Sequence, residues 1–172
     1  MKTELTQILN SVKNGSMTVE EAALKLKITP FEDIGYAKID LHRKIRQGAA
    51  EVIYGAGKTA VQIAGITETM LKNGQENILI TRLDPKAAEF LKKTVELDYH
   101  EDAKIGIIGQ IPAPDGIGKI VVATGGTSDI PVAEEAALTA EVLGNQVERL
   151  YDVGVAGLHR LLKHLDEIMN AS

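Results

Sequence analysis

Along this chain, two patterns of apolar residues alternate. Some segments are short unbroken apolar runs, which are typical of buried strands, and others have apolar residues three or four positions apart, which is typical of helices. The first 28 residues predict two short helices, because apolar positions follow the helical period and Asn14-Gly15 interrupts them. Further along, the pattern predicts strands at residues 51–54, 77–81 and 104–108, and helices at residues 59–72 and 85–97. This alternation predicts a small α/β domain.

Proline and glycine mark a candidate linker beyond the middle of the chain. The segment IPAPDGIG, residues 111–118, holds two prolines and two glycines. Such a composition disfavours regular structure and is typical of a boundary between domains. We therefore expect a helical segment at residues 1–30, the small α/β domain at 31–110, and a second domain at 119–172.

The second domain opens with a strand and a glycine-rich turn. Residues 120–123 are all apolar, which fits a strand buried on both faces of a parallel sheet. A helix is expected to begin near Pro131. A strand, a glycine turn and a helix N-terminus form the ligand-binding edge of open α/β sheets. We therefore predict that this turn binds a ligand through Gly125, Gly126, Thr127, Ser128 and Asp129.

A second turn of the same kind follows. Residues 146–151 predict a strand, Asp152 and Gly154 follow it, and residues 155–169 predict a helix carrying His159 and Arg160 in its first turns. Parallel neighbouring strands would place both turns at one sheet edge. A histidine there suits proton transfer, because its ordinary pKa lies near neutrality.

Two basic segments could hold an anion. Lys58 follows a glycine turn, but Val52 stands where the phosphate-loop pattern needs glycine, so that pattern fails. Arg43 and Arg46 are three residues apart and would share a helix face suited to phosphate. Solvated side chains explain both segments as well, and for the arginines that explanation is favoured.

The amino-acid composition argues against several classes of protein and of site. The chain carries 24 acidic and 19 basic residues, with 3% aromatic residues, which argues against a nucleic-acid partner. No apolar stretch is long enough to span a membrane, and we expect a cytoplasmic protein. The chain has no cysteine, which excludes disulfides and thiolate catalysis within it. Its four histidines show no spacing typical of a metal site.

The motifs GGTSDIPVAEEA and YDVGVAGLHRLL resemble the pyridinium-3,5-biscarboxylic acid mononucleotide synthase family, LarB, whose C-terminal domain is similar to the PurE-type aminoimidazole ribonucleotide carboxylases. Upstream, DIGYAKIDLHRKIRQGAAEVIYGAGKT and TRLD also resemble that family, so the likeness covers nearly all of residues 30–165. It implies an α/β fold: short helices, a small N-terminal α/β domain, then the first two strand–helix units of a PurE-like, flavodoxin-like parallel sheet.

The resemblance also implies a chemistry. Members of this family convert nicotinic acid adenine dinucleotide, with carbon dioxide or bicarbonate, into the biscarboxylated mononucleotide and AMP, for nickel-pincer cofactor synthesis. By resemblance, Ser128 and Asp129 bind substrate, while His159 and Arg160 lie in the same site. No covalently bound cofactor is implied, Mg²⁺ is an open candidate, and a homo-oligomer is expected. A cysteine is implied to activate the pyridinium ring for attack on carbon dioxide.

The chain departs from this family by lacking cysteine and by showing two strand–helix units after the linker. We therefore expect a fragment of a longer enzyme that is inactive by itself. Two alternatives remain. One is a PurE-like carboxylase or mutase acting on aminoimidazole ribonucleotide, against which the long N-terminal region counts. The other is a non-catalytic module for nucleotide binding or assembly.

Overall fold

The computed structural model describes residues 2–28, 31–41, 43 and 51–172. The chain forms two compact units. The first comprises Met1–Glu51 with Ile66–Gln75, and the second comprises Val52–Gly65 with Glu76–Ser172. The predicted four-part division, including a linker at 111–118, is not tested by this grouping and stays a prediction.

The first unit begins with the two predicted helices, α1 (Lys2–Lys13) and α2 (Val19–Ile28). Thr18 and Glu21 cap α2 reciprocally: the Glu21 amide donates to the Thr18 hydroxyl at 3.1 Å, and the Thr18 amide donates to the Glu21 carboxylate at 2.9 Å. An antiparallel hairpin of β1 (Phe31–Asp33) and β2 (Lys38–Asp40) follows. The sequence pattern did not predict this hairpin, because its strands have three residues each and carry charges.

The second unit contains a four-stranded sheet of β3 (Val52–Tyr54), β4 (Ile78–Thr81), β5 (Asp98–His100) and β6 (Ile105–Ile108), in the order β3-β4-β6-β5. Strands β3 and β4 are parallel, whereas β6 is antiparallel to both its neighbours. The connection from β3 to β4 runs through helix α3 (Ala60–Lys72). Three predicted strands are thus confirmed, and β5 was missed.

Helix α4 (Pro85–Leu91) is shorter than the predicted helix at 85–97. It begins at Asp84, whose carboxylate accepts from the Lys86 amide at 2.9 Å. It ends where the Thr94 hydroxyl donates to the Leu91 carbonyl at 3.1 Å, so a turn replaces the last helical residues.

The C-terminal half contains β7 (Lys119–Ala123), helix α5 (Ile130–Val142) and β8 (Gln146–Leu150). The two strands are parallel, which confirms the α/β class and is consistent with a PurE-like, flavodoxin-like fold. The expectation that β7 is buried on both faces was wrong, since Ile120 is 36% exposed. Within the described residues β7 pairs only with β8, so a two-stranded sheet leaves part of this apolar strand uncovered.

The helix predicted at 155–169 is broken into three pieces: a 3₁₀ turn at Val155–Gly157, then α6 (Leu158–Leu162) and α7 (Leu165–Met169). The break follows from His164, whose φ of −107° and ψ of 22° depart from helical values. Helical spacing of apolar residues predicted the region correctly but did not reveal this turn.

A hydrophobic core connects α5 to the four-stranded sheet. Leu138 of α5 packs with a buried group on the sheet and beside it, namely Leu79, Ala103, Ile105 and Ile107. The packing fixes α5, and therefore the turn that precedes it, against strands from the N-terminal half. Among the described residues, no helix combines the length and hydrophobicity needed to cross a membrane.

Candidate functional site

Thr124 joins the turns that follow β7 and β8. Its amide donates to the Leu150 carbonyl at 3.0 Å, its carbonyl accepts from the Val153 amide at 2.9 Å, and its hydroxyl accepts from the Asp152 amide at 3.0 Å. The residue is 4% exposed, so these bonds are shielded from water. The predicted meeting of the two turns at the carboxyl ends of both strands is therefore present in the structure.

Gly125 and Gly154 bring the two turns into direct backbone contact. A Cβ atom on Gly154 would overlap the carbonyl oxygen of Gly125 and lie 3.2 Å from its carbonyl carbon. The φ of Gly154 is −59°, which any residue adopts, so glycine is required here for space rather than for conformation.

The first turn is closed by its own aspartate. Residues Thr127–Asp129 form a 3₁₀ turn, and the Gly126 amide donates to a carboxylate oxygen of Asp129 at 3.0 Å. A negatively charged oxygen thus already occupies one backbone donor that the sequence suggested for a phosphate. Ser128 is exposed, and within the described part of the chain its hydroxyl has no hydrogen-bond partner.

The second turn holds an arginine against an aspartate. Arg160 of α6 forms an ion pair with Asp152, and its side chain folds over Gly157, where a Cβ atom would lie 2.7 Å from Nε. Asp152 has a positive φ of 57°, a value that is uncommon outside glycine and that aspartate adopts more readily than most residues. His159 precedes Arg160 and is exposed. The structure therefore brings Asp152, Gly154 and Arg160 together with Gly125.

A network of charged side chains holds α5 against β8. Arg149 donates to Glu134 at 3.1 Å and to Glu141 at 2.9 Å, and the Tyr151 hydroxyl donates to Glu134. Hydrogen bonding to Glu141 raises the pKa of Arg149 above its ordinary value. Burial, reinforced by the bond to Glu134, raises the pKa of Tyr151 to about 12.

Sequence reasoning missed this network, although a signal was available. Glu134 and Glu141 are seven residues apart and so share a helix face, while Arg149 and Tyr151 are two residues apart and so share a face of the strand predicted at 146–151. When one face of a helix carries acidic residues and the strand that follows it in the sequence carries a basic residue, the pattern indicates contact between the two elements.

The other candidate anion ligands have local partners. The Lys58 ammonium donates to the Tyr54 carbonyl at 2.8 Å, and Arg43 forms an ion pair with Glu51 at 3.1 Å. Thr59, the cap of α3, exchanges hydrogen bonds with Gln62. Arg46 lies outside the described residues. A role for Arg43, Arg46 and Lys58 in phosphate binding stays a prediction.

No group of three or more histidine, aspartate or glutamate side chains in the described ranges is arranged to hold a metal ion. The carboxylates of the site have other contacts: Asp129 accepts from a backbone amide, and Asp152 pairs with Arg160. A requirement for Mg²⁺ stays a prediction.

Comparison with known proteins gives two matches. A family model described as the LarB/PurE-like N-terminal domain matches residues 31–110. An uncharacterized protein of Methanocaldococcus jannaschii is 35% identical over 176 residues, an alignment that covers 98% of this chain and 69% of that protein. The matched range includes the four-stranded sheet, and the longer alignment extends over both turns. The chain therefore belongs to the LarB/PurE-like family, whose members are carboxylase-like proteins.

Proposed function

We propose that the two joined turns bind a nucleotide, and that the ligand is the nicotinic acid adenine dinucleotide used by an enzyme of nickel-pincer cofactor synthesis. The observation that carries the proposal is the backbone contact between Gly125 and Gly154, secured by Thr124. This contact places the polar residues of the first turn and the cationic side chain of Arg160 at one sheet edge, where open α/β sheets bind ligands.

Each polar side chain has a role in this proposal. Arg160 supplies positive charge to a phosphate, and Asp152 orients its guanidinium group through their ion pair. Ser128 donates a hydrogen bond to the same phosphate. Asp129 would repel a phosphate, so ribose hydroxyls are its partners, and their binding releases the Gly126 amide for the ligand. His159, exposed beside Arg160, accepts the proton that the ring carbon loses when a carboxyl group replaces its hydrogen.

The carboxylation step needs more than these residues supply. A pyridinium ring is poor in electrons and does not attack carbon dioxide until a nucleophile has added to it. The chain has no cysteine to act as that nucleophile. We therefore expect this chain to bind the dinucleotide without forming the biscarboxylated product. Carbon dioxide or bicarbonate as co-substrate, Mg²⁺, and a homo-oligomeric assembly stay predictions.

Calorimetric titration of the chain with nicotinic acid adenine dinucleotide tests the proposal. Arg160→Ala and Ser128→Ala should each weaken binding by about 1.5–3 kcal/mol, the size of a hydrogen bond to a charged group. Lys163→Ala is the matched control, because it removes the same charge from an exposed position three residues away. Its affinity should equal that of the parent chain.

Two outcomes would redirect the proposal. If both Arg160→Ala and Ser128→Ala bind as tightly as the parent, the ligand lies elsewhere. If aminoimidazole ribonucleotide binds more tightly than the dinucleotide in a parallel titration, the site belongs to a purine-type carboxylase. Mass spectrometry of the reaction mixture with bicarbonate tests turnover, and detection of the biscarboxylated product would refute the expected inactivity.

A further inference from the structure

Arg82 connects the four-stranded sheet with the helix that follows the first turn of the site. It stands directly after β4, and its guanidinium group binds both carboxylate oxygens of Glu135 on α5, with Nε and Nη2 each 2.8 Å from an oxygen. Two parallel hydrogen bonds restrain the orientation of the guanidinium group relative to the carboxylate as well as the distance between them. The Glu135 side chain is 18% exposed, so the pair is partly shielded from solvent.

The backbone of Arg82 is itself held in place. Its φ is 53°, an uncommon value for a residue other than glycine. The Gly55 amide donates to the Thr81 carbonyl at 2.7 Å, and a Cβ atom on Gly55 would lie 3.0 Å from the Arg82 carbonyl oxygen. Because the glycine turn after β3 packs closely on this segment, Arg82 is presented from a fixed point on the sheet edge.

Helix α5 is consequently anchored near its start from two directions. Glu134 accepts hydrogen bonds from Arg149 on β8 and from Tyr151 directly after it, while the adjacent Glu135 is bound by Arg82. The 3₁₀ turn Thr127–Asp129 runs directly into α5 at Ile130, so a shift of the helix start moves the turn. Arg82 is thus linked to the first turn through Glu135 and α5, although it belongs to neither turn of the site.

We propose that Arg82 is a positioning residue for the ligand site: through Glu135 it fixes the start of α5 and thereby the arrangement of Gly125 to Asp129. This inference rests on the proposed function, because it gives Arg82 a role in the proposed nucleotide site. Arg82 lies within residues 31–110, the range that matches the N-terminal domain of the family. A residue with only a structural role would stabilise the fold without a selective effect on the turn.

Hydrogen exchange of the ligand-free chain distinguishes a role in positioning the turn from a role in stabilising the whole fold. Arg82→Ala should accelerate exchange of the Gly126 amide, which depends on Asp129, while leaving the Ile107 amide of the buried sheet unchanged. Glu89→Gln is the control, since it removes the negative charge from the exposed Lys92–Glu89 pair at the end of α4 and should alter neither amide. The double variant Arg82→Glu with Glu135→Arg should restore slow exchange at Gly126, because it reverses both charges.

Titration with nicotinic acid adenine dinucleotide adds a functional readout. Arg82→Ala should weaken binding about fivefold, the upper range for a partly exposed ion pair, and the charge-reversed double variant should recover most of that loss. Unchanged exchange at Gly126, or equal acceleration at Gly126 and Ile107, would overturn the positioning role. Failure of the parent chain to bind the dinucleotide would count against the proposed function, and the exchange measurement would still decide the role of Arg82.

Discussion

Substitution of Gly154 by alanine should separate the two turns of the site. The added methyl group would overlap the carbonyl oxygen of Gly125, and the contact is with backbone, which moves only if a whole turn moves. Overpacking of this kind costs about 1–3 kcal/mol of folding free energy. The φ of −59° is acceptable to alanine, so backbone strain does not contribute, and the full cost arises from the contact.

Urea unfolding followed by circular dichroism measures this cost, and hydrogen exchange locates it. The urea concentration at the midpoint of unfolding should fall by about 1 M, if the free energy of unfolding depends on urea as it does in other small proteins. The Val153 amide, which donates to Thr124, should exchange faster than in the parent. Gly126→Ala is the stability control, because its Cβ atom meets nothing within 4 Å and its φ is −146°. Equal stability of Gly154→Ala and the parent, or equal destabilisation by both substitutions, would refute the reasoning.

Two further predictions concern the side chains around these turns. Tyr151→Phe should lower the free energy of unfolding by about 1.5–3 kcal/mol near neutral pH, since it removes a hydrogen bond to Glu134. Because the pKa of Tyr151 is raised from 10.0 to about 12, this contribution is complete below pH 10 and is lost as the pH rises through 12, so parent and variant should converge in urea unfolding across that range. Gly157→Ala should displace the guanidinium of Arg160 from Asp152, which weakens dinucleotide binding in calorimetry while the urea midpoint stays unchanged, because a flexible side chain yields where backbone does not. A lower midpoint with unaltered affinity would contradict this.

The pattern of apolar residues was sufficient for the longer elements. It predicted α1, α2 and α3, the strands β3, β4, β6, β7 and β8, and the start of α5 to within one residue of Pro131. It failed at β1, β2 and β5, whose three residues include one or two acidic side chains, whereas the equally short β3 is recognisable because Val52, Ile53 and Tyr54 are all strand-favouring residues. It also extended α4 too far, since the end of that helix coincides with a Thr94 side-chain bond, and it did not reveal the break at His164 between α6 and α7.

What the sequence by itself determined is local: the strand-to-turn-to-helix order, the glycines at 125 and 154, and the identity of the polar residues beside them. Tertiary structure alone decided which of these groups meet. Thr124 and Asp152 are 28 residues apart, and Arg82 and Glu135 are 53 apart, so no periodicity relates the members of either pair. Their contacts arise because parallel strand pairing and packing of Leu138 on the sheet fix α5 and β8 in space, and burial in the folded chain then selects the partners of each charged group.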